Sequence, residues 1–227
     1  MSNNLRSVSI FENLPNGGGR RVMEMTSSLL EKKYKTSVIR PQEIKFSNFI
    51  HYCWYIFITL PTIHKNIANK INNSSSKVAI IHHDYLTKSP YILNYLDIPS
   101  IYICHEEPRE FYKDKKYISN SIKDKVVNII RYPLKIIDIT NTRSSTILVT
   151  NSVFSKNKLE KIYNRKFEMI TMGVDCNVFR PSPCMSENKY YIVVGSTSIF
   201  KGLDFIIRAI SNLPIKYQYP LIIIGDK

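Results

Sequence analysis

The sequence predicts an α/β protein built on a doubly wound parallel sheet, with a second, incomplete sheet of the same kind after it. Two observations lead to this prediction. Short apolar runs rich in Val and Ile recur along all 227 residues, and stretches with helical spacing lie between them. Runs of four to six such residues are typical of strands buried on both faces of a parallel sheet. Their alternation with helices favours a Rossmann-like arrangement.

The strands are expected where an apolar run ends in polar residues. Eight segments meet this description: Val8–Phe11, Thr36–Ile39, Val78–Ile81, Ser100–Cys104, Thr146–Val149, Phe167–Thr171, Tyr190–Val194 and Leu221–Ile224. Helices are expected from Arg20 to Lys33 and from Leu203 to Leu213, where apolar residues follow a helical repeat. A third begins near Ile122, and Pro133 is expected to break or kink it.

Prolines near residue 183 mark the expected domain boundary. Residues 1–183 form the first domain, and residues 184–227 form a polar linker and the start of the second. That second part holds a predicted strand, a helix and one more strand. Because two strands and a helix cannot cover both faces of a parallel sheet, the second domain is expected to be incomplete.

The charge of the chain is strongly positive. The net charge is +14, of which +12 belongs to residues 1–183. Such a surface favours an anionic partner, such as a phosphorylated ligand or an anionic membrane, although an excess of solvated lysines explains it equally well. Since the sequence has no recognition helix, zinc knuckle or RNP-like aromatic pattern, we expect no nucleic-acid partner.

Cysteine usage and apolar runs indicate a cytoplasmic protein, with peripheral contact to the inner face of a membrane left open. The four cysteines include no C-x-x-C pair, and no signal peptide is recognised. The longest apolar run, Phe49–Ile63, contains His51 and Pro61 and is shorter than the roughly 20 residues that span a bilayer. We expect this segment to be a core helix, with a membrane anchor as the alternative.

Candidate site residues follow the predicted strands, because parallel sheets bind ligands at their carboxyl edge. Four groups stand there: Gly17–Arg20, His82–Asp84, His105–Glu106 and Lys201–Gly202. The glycines before a helix suit close approach of a phosphate, or simply a flexible turn. His105 suits a general base or a hydrogen-bonding role, or is a satisfied strand-end histidine. Lys201 beside a helix start suits a diphosphate, although a surface lysine is the commoner explanation.

No metal site is expected at the two adjacent histidines. Neighbouring residues of a strand point to opposite faces of the sheet, so His82 and His83 are not expected to bind one ion. No matching third ligand is recognised in the sequence.

Several motifs resemble the GT-B glycosyltransferases of family 4. Thr150-Asn151-Ser152 is followed by the run from Thr171 to Pro181, which contains Gly173, Val174 and Asp175, and then by Val194-Gly195 and Lys201-Gly202. Upstream, Gly17–Gly19 is similar to the glycine loop of that family, and the residues from His105 to Tyr112 to its histidine-bearing strand end. The resemblance covers nearly the whole chain.

The resemblance implies two Rossmann-like domains and metal-independent, retaining transfer of a sugar from a nucleotide sugar to a phosphorylated or lipid-linked acceptor, in assembly of a surface polysaccharide or glycolipid. No cofactor is implied. His105 would lie beside the reacting sugar as the catalytic residue. The donor diphosphate would contact Gly18, Gly19, Lys201 and Gly202. The acceptor side would be bordered by Arg20, His83, Asp84 and Glu106.

Two departures from the family limit this interpretation. Ser196 stands where the family often carries Arg, and the glutamate pair that holds the donor would lie beyond residue 227. We therefore expect no transfer by this polypeptide alone. The alternative function is a non-catalytic subunit whose incomplete sheet edge recruits a separate donor-binding protein.

Overall fold

The computed structural model describes residues 6–107, 112, 122–181, 189–195 and 201–225. By its contacts the chain divides into two compact units, Met1–Gly173 and Val174–Lys227, and each is described by itself. The predicted boundary after residue 183 adjoins residues outside the described ranges and stays a prediction. Residues 108–111 of the histidine motif, most of the predicted linker, and Ser196 also lie outside the described residues.

The first unit alternates strands and helices along the chain. Its strands are β1 (Ser7–Asn13), β2 (Lys35–Ile39), β3 (Ser76–Asp84), β4 (Ser100–Ile103), β5 (Ile147–Thr150) and β6 (Glu168–Met169). Its helices are α1 (Gly18–Glu31), α2 (Phe49–Trp54), α3 (Leu60–Asn72), α4 (Ile122–Ser144) and α5 (Val153–Tyr163). A π-helical segment, Tyr55–Thr59, joins α2 to α3, and a short 3₁₀ helix covers Tyr91–Asn94.

The six strands form one parallel sheet in the order β2-β1-β3-β4-β5-β6. The chain winds from β1 outward to β2, then crosses back to β3 and continues in the other direction. The strand order therefore reverses between β1 and β3, and a crevice at the carboxyl ends of such strands is where open α/β sheets bind ligands.

Side chains of the central strands alternate between two cores, one on each face of the sheet. On one face Val8, Ile10 and Ile80 pack with Met23 of α1. On the other, Phe11 and Ile81 belong to the larger core, to which α3 and α5 contribute Ala68, Ile71, Leu159 and Tyr163. Burial on both faces explains why these strands are continuous apolar runs in the sequence. The predicted Rossmann-like parallel sheet of the first domain is confirmed at this level.

The run Phe49–Ile63 begins a nearly continuous helical stretch over α2, the π-helical segment and α3. Asn48 caps its start, since its side-chain oxygen accepts a hydrogen bond from the backbone N–H of His51 at 2.8 Å. Pro61 has no N–H to donate, and it stands in the first turn of α3, where the register changes from π to α. One face of this stretch, which includes Tyr55, Ile56 and Leu60, is buried in the protein. The expected core helix is therefore present, and its other face is exposed to solvent.

Pro133 lies inside α4 and does not end it. Of the two expected effects, the break is therefore wrong, and the kink stays a prediction. An internal proline removes one backbone hydrogen bond and costs about 3 kcal/mol. The residues after it are anchored in the interior, where Leu134, Asp138, Asn141 and Thr142 are buried. These tertiary contacts offset the local cost, so the helix continues to Ser144.

The second unit contains β7 (Tyr191–Val194), α6 (Leu203–Ser211), a 3₁₀ turn at Ile215–Tyr217 and β8 (Leu221–Ile224). The two strands pair in parallel. None of its described side chains is buried, and large apolar residues such as Val194, Phe205 and Ile215 are exposed. The element order is the predicted one; whether the domain is incomplete stays a prediction.

All eight predicted strands are present, with ends that differ from prediction by at most three residues. Among the described residues, no helix has both the length and the apolar composition needed to cross a membrane.

The central strand β3 supplies a direct test of the sheet. Ile81→Ala removes a fully buried side chain from the larger core and is expected to lower the free energy of unfolding by about 2–5 kcal/mol. Ile147→Ala in β5, where the side chain is 44% exposed, serves as the matched control with a smaller loss. Urea unfolding followed by circular dichroism measures both; equal losses at the two positions contradict the assigned sheet.

Candidate functional site

The crevice between β1 and β3 is crossed by a hydrogen bond between the last residues of the two strands. Asn13 donates from Nδ2 to Oδ2 of Asp84 at 2.8 Å. The pairing of the strands is irregular here, since the register shifts between Phe11 and Asn13. The shift brings Asn13 opposite Asp84, so the point where the strand order reverses is spanned by a polar contact.

Asp84 is fully buried and holds the loop that follows β3. Its Oδ1 accepts the backbone N–H groups of Leu86 at 2.7 Å and Thr87 at 3.0 Å, and its backbone exchanges two hydrogen bonds with Lys88. Lys88 has a positive φ of 61°, which the tight turn requires. Oδ2 also lies 3.6 Å from Nε2 of His64 in α3. The predicted acceptor-side residue Asp84 therefore serves as the structural anchor of this edge.

Three histidine rings meet where β3 and β4 end. The ring of His105 stacks on that of His82, with centroids 5.8 Å apart, and meets the ring of His83 edge to face at 5.5 Å. His83 also contacts Tyr102. Both adjacent histidines of β3 thus reach the same neighbour, which the alternation of strand residues did not predict. The regular pairing with β4 ends at His82, and beyond it alternation no longer separates the two rings.

Burial keeps these imidazoles neutral. Loss of solvation lowers the pKa of His82 to about 3 and that of His64 to about 4. It also lowers the pKa of His83 well below its ordinary value, and the neighbouring His105 adds to the effect. The pKa of His105 is lowered by burial as well, against the attraction of Glu106. A neutral imidazole can accept a proton or a hydrogen bond, and Nε2 of His105 has no partner among the described residues.

The glycine loop leads into α1, and there is open space around its backbone. Gly17 caps the helix with a φ of 153°, a conformation that side chains rarely adopt. A Cβ added at Gly18 would meet nothing within 4 Å, and one at Gly19 would touch only Leu14 at 3.4 Å. Within this loop, the backbone conformation therefore demands glycine only at position 17. At Gly18 the backbone is open to approach from outside, as a phosphate-binding loop requires.

Arg20 fastens this loop to the end of β1. Its Nη2 donates to the carbonyl oxygen of Leu14 at 2.6 Å and its Nη1 to Oδ1 of Asn16 at 2.5 Å. The guanidinium lies 4.0 Å from the carboxylate of Glu12. Arg20 therefore acts first as a brace for the loop, with its remaining surface turned to a cleft.

That cleft, which the sequence analysis missed, lies at the ends of β1 and β2 and has a volume of about 460 Å³. Buried Glu12 forms an ion pair with Arg40 in it and accepts the N–H of Leu14 at 2.8 Å. Lys45 and Tyr85 line the same space. Two signals were present in the sequence: a carboxylate inside a buried strand needs a partner, and Arg40 directly follows β2 as other candidates follow their strands.

A third buried carboxylate lies near the end of β4. Asp138 of α4 accepts hydrogen bonds at Oδ2 from the hydroxyls of Tyr163 at 2.8 Å and Tyr112 at 3.2 Å. Burial raises the pKa of Asp138 to about 7, although the two tyrosine hydrogen bonds oppose the shift. Burial likewise raises the pKa of the Cys104 thiol well above its ordinary value, so this cysteine is protonated and unreactive at neutral pH.

Glu106 stands at the rim of the histidine cluster. Its carboxylate lies 3.7 Å from Nζ of Lys88, the residue that forms the tight turn after β3. This contact ties the loop after β4 to the loop after β3. Glu106 is partly exposed, as a residue that borders a ligand cleft would be.

In the second unit, Lys201 lies over the end of β7. Its side-chain carbons stand 3.5–3.6 Å from the position of a Cβ on Gly195, which is an ordinary contact distance, and the φ of 156° at Gly195 is one that side chains rarely adopt. Gly202 caps α6 in the left-handed conformation, with a φ of 64°. The structure thus brings the predicted Lys201-Gly202 pair to the carboxyl edge of the second sheet, beside a helix N-terminus.

The predicted residues fall into two groups. The first unit brings the glycine loop, Arg20, the end of β3 and His105 to one edge of one sheet, and the second holds Lys201 and Gly202. Within the described ranges, no three His, Cys, Asp or Glu side chains are arranged to hold a metal ion. No family model matches this chain, and no curated protein matches it.

Loss of the Asp84 carboxylate should destabilise the carboxyl edge of the six-stranded sheet. Asp84→Ala leaves three donors, on Asn13, Leu86 and Thr87, without their acceptor, and we expect a loss of about 2–4 kcal/mol in the free energy of unfolding. Asp97→Ala is the control, because the exposed Asp97 accepts one side-chain bond from Asn72. Denaturant unfolding compares the two, and a loss below that of the control contradicts the anchoring role.

Stability should fall in acid because of the neutral imidazoles. Below the ordinary pKa of 6.5 the unfolded chain binds protons at His64 and His82, whereas the folded chain does so only near pH 4 and 3. The free energy of unfolding should therefore fall as the pH is lowered from 6.5 to 4, by up to ~1.4 kcal/mol per pH unit for each imidazole.

Asp138 acts in the opposite direction. Between pH 3.8 and about 7 the folded chain keeps a proton on Asp138 that the unfolded chain has lost, so this group favours the folded state as the pH falls. Asp138→Asn removes that contribution and should make the acid loss steeper. Urea unfolding at several pH values measures both slopes, and a flat profile in the variant argues against buried neutral histidines.

Proposed function

We propose that the chain is the acceptor-side part of a glycosyltransferase that uses a nucleotide sugar and modifies a phosphorylated or lipid-linked acceptor. The observation that carries the proposal is the shared position of the glycine loop and His105 at the carboxyl edge of one parallel sheet. They follow strands two apart in the sheet, a separation of about 10 Å. That span suits a diphosphate and the sugar attached to it.

The chemistry of each residue fits the role proposed for it. In the transfer, the bond from the anomeric carbon to the diphosphate breaks, and its electron pair leaves with the diphosphate. The acceptor oxygen bonds to that carbon and gives up its proton to the departing phosphate. The backbone at Gly18 and the N-terminus of α1 supply N–H groups for the developing negative charge. The ring of His105 is neutral, and its proposed role is a hydrogen bond to the sugar.

The acceptor side is proposed at the cleft beside this edge. Arg20, Arg40 and Lys45 line it, against the carboxylates of Glu12 and Glu43. An acceptor with a phosphate would meet the excess of positive charge, and its hydroxyl groups would find hydrogen-bonding side chains such as Tyr85. Lys201 is proposed to neutralise the leaving diphosphate from the second unit.

A non-catalytic subunit is the second candidate. The observation that favours it is the exposure of apolar side chains on β7, β8 and α6 in the second unit. A partner that binds the nucleotide sugar would cover them. Native mass spectrometry of the protein from its source cells separates the two, because a stoichiometric complex with a second protein supports the subunit role.

The first experiment tests whether nucleoside diphosphate sugars with uracil, guanine or adenine bases bind to the full chain. Calorimetry measures the affinity of each. We expect one of them to bind and Gly18→Ala to weaken its affinity by ~tenfold or more, because a Cβ would stand where the phosphate approaches. Folding should not suffer, since that Cβ meets no other atom within 4 Å. Ligand addition should also shift the imidazole NMR signals of His105.

Ser28→Ala is the control for this experiment, because Ser28 is exposed on the same helix and away from its N-terminus. It should bind the nucleotide sugar as the unchanged chain does. Equal affinity of the Gly18 variant, or no binding of any of the three nucleotide classes at millimolar concentration, would refute the donor part of the proposal.

A further inference from the structure

The helical stretch from α2 to α3 presents an apolar stripe to solvent. Phe49, Ile50, Trp54 and Ile58 are exposed by 60%, 79%, 63% and 52%. Ile50, Trp54 and Ile58 follow one another at intervals of four residues, so they lie along one side of the helix. We call these four residues the α2 stripe. Four large apolar side chains on one helix surface exceed the scattered exposure that is ordinary for a folded protein.

The opposite side of the same helix is fixed in the core. Tyr55, Ile56, Leu60 and His64 are buried, and Tyr55 packs with Phe46 at a ring-centroid distance of 5.5 Å. The helix therefore cannot rotate the stripe inward without giving up this packing. Its outer apolar residues are a permanent feature of the surface.

The segment of the chain that contains the stripe carries charge of one sign. From Ile44 to Lys77 the sequence contains no Asp or Glu, and its four lysines, Lys45, Lys65, Lys70 and Lys77, are all exposed. The whole chain carries +14. A surface that combines exposed apolar residues with an excess of lysines complements a partner that is apolar inside and anionic at its face.

We propose that the α2 stripe docks this protein onto the surface of an anionic lipid membrane. Trp54 and the two isoleucines enter the boundary between headgroups and acyl chains, where tryptophan is favoured. The lysines attract the anionic headgroups. The helix lies in the plane of the surface and does not cross the membrane.

The stripe begins beside the cleft proposed for the acceptor. Ile44 and Lys45, which line that cleft, precede α2 by a few residues. A docked α2 would therefore hold the cleft near the headgroups, where the phosphate of a lipid-linked acceptor lies. In this respect the inference rests on the proposed function, and it narrows the acceptor to one that is anchored in a membrane.

A second copy of the chain is a poorer occupant, because two such surfaces would bring like charges together. An acidic protein is the remaining competitor. The test therefore uses purified full-length protein and lipid vesicles alone, with no other macromolecule and no nucleotide sugar present. Its failure and a failure of glycosyl transfer are consequently separate results.

Trp54 is the single tryptophan of the chain, so its fluorescence reports on the stripe directly. We expect its emission to shift to shorter wavelength when phosphatidylcholine vesicles containing phosphatidylglycerol are added, and brominated acyl chains to quench it. Vesicles of phosphatidylcholine alone should retain at least ~tenfold less protein than the anionic vesicles do. Salt should release the protein from the anionic vesicles.

The double variant Ile50→Ser/Ile58→Ser removes the two aliphatic side chains and keeps the fluorescent probe. Both residues are exposed, so folding should be unaffected. We expect co-sedimentation with anionic vesicles to fall by ~tenfold or more. The matched control is Met25→Ser/Leu29→Ser on α1, where two exposed apolar side chains lie on the opposite face of the sheet; its retention should equal that of the unchanged chain.

Three results would each overturn the proposal. One is an absence of retention on anionic vesicles. Another is retention that neither shifts the emission of Trp54 nor depends on Ile50 and Ile58, because the charge would then act elsewhere on the chain. The third is an emission of Trp54 that is already shifted without lipid and returns on dilution, which would show that a second copy covers the stripe.

Discussion

The carboxyl edge of the sheet depends on one buried carboxylate. Asp84 ends the central strand β3, and its oxygens accept hydrogen bonds from Leu86 and Thr87 in the following loop and from Asn13 at the end of β1. A buried charge without partners would be strongly unfavourable, so these donors and the carboxylate stabilise one another. Because β1 and β3 flank the point where the strand order reverses, this contact joins the strand that precedes the glycine loop to the strand that carries His82 and His83.

Beside this anchor, several buried side chains are held in their neutral forms. His82, His83 and Cys104 are buried beside the strand ends, and burial disfavours the charged form of each. The charged and dipolar groups of this edge are the N-terminus of α1, the Lys88–Glu106 pair and the charged side chains of the cleft at Arg40. In low dielectric such dipoles and charges act more strongly on a ligand than they would in water.

One helical stretch serves both the interior and the surface. Between Phe49 and Asn72 the inner residues complete the core beneath β1 and β3, while Trp54 and its neighbours face solvent. The π-helical segment at Tyr55–Thr59 adds a residue to one turn and accommodates Pro61 without a break. The same helical stretch therefore stabilises the core with one face and presents apolar side chains to solvent with the other.

The sequence by itself determined the order of the strands, because period and composition are local: Val78–Ile81 is a buried strand from its own residues alone. It also placed His105 and Lys201 at strand ends. It did not predict the helix Val153–Tyr163. Tertiary structure alone decided which distant residues meet, as when His82 and His83 both reach His105, or Glu12 pairs with Arg40. Tertiary structure also decided that the helix continues through Pro133 and that Trp54 is exposed to solvent. Contacts between distant residues depend on how elements pack, and no local repeat encodes that packing.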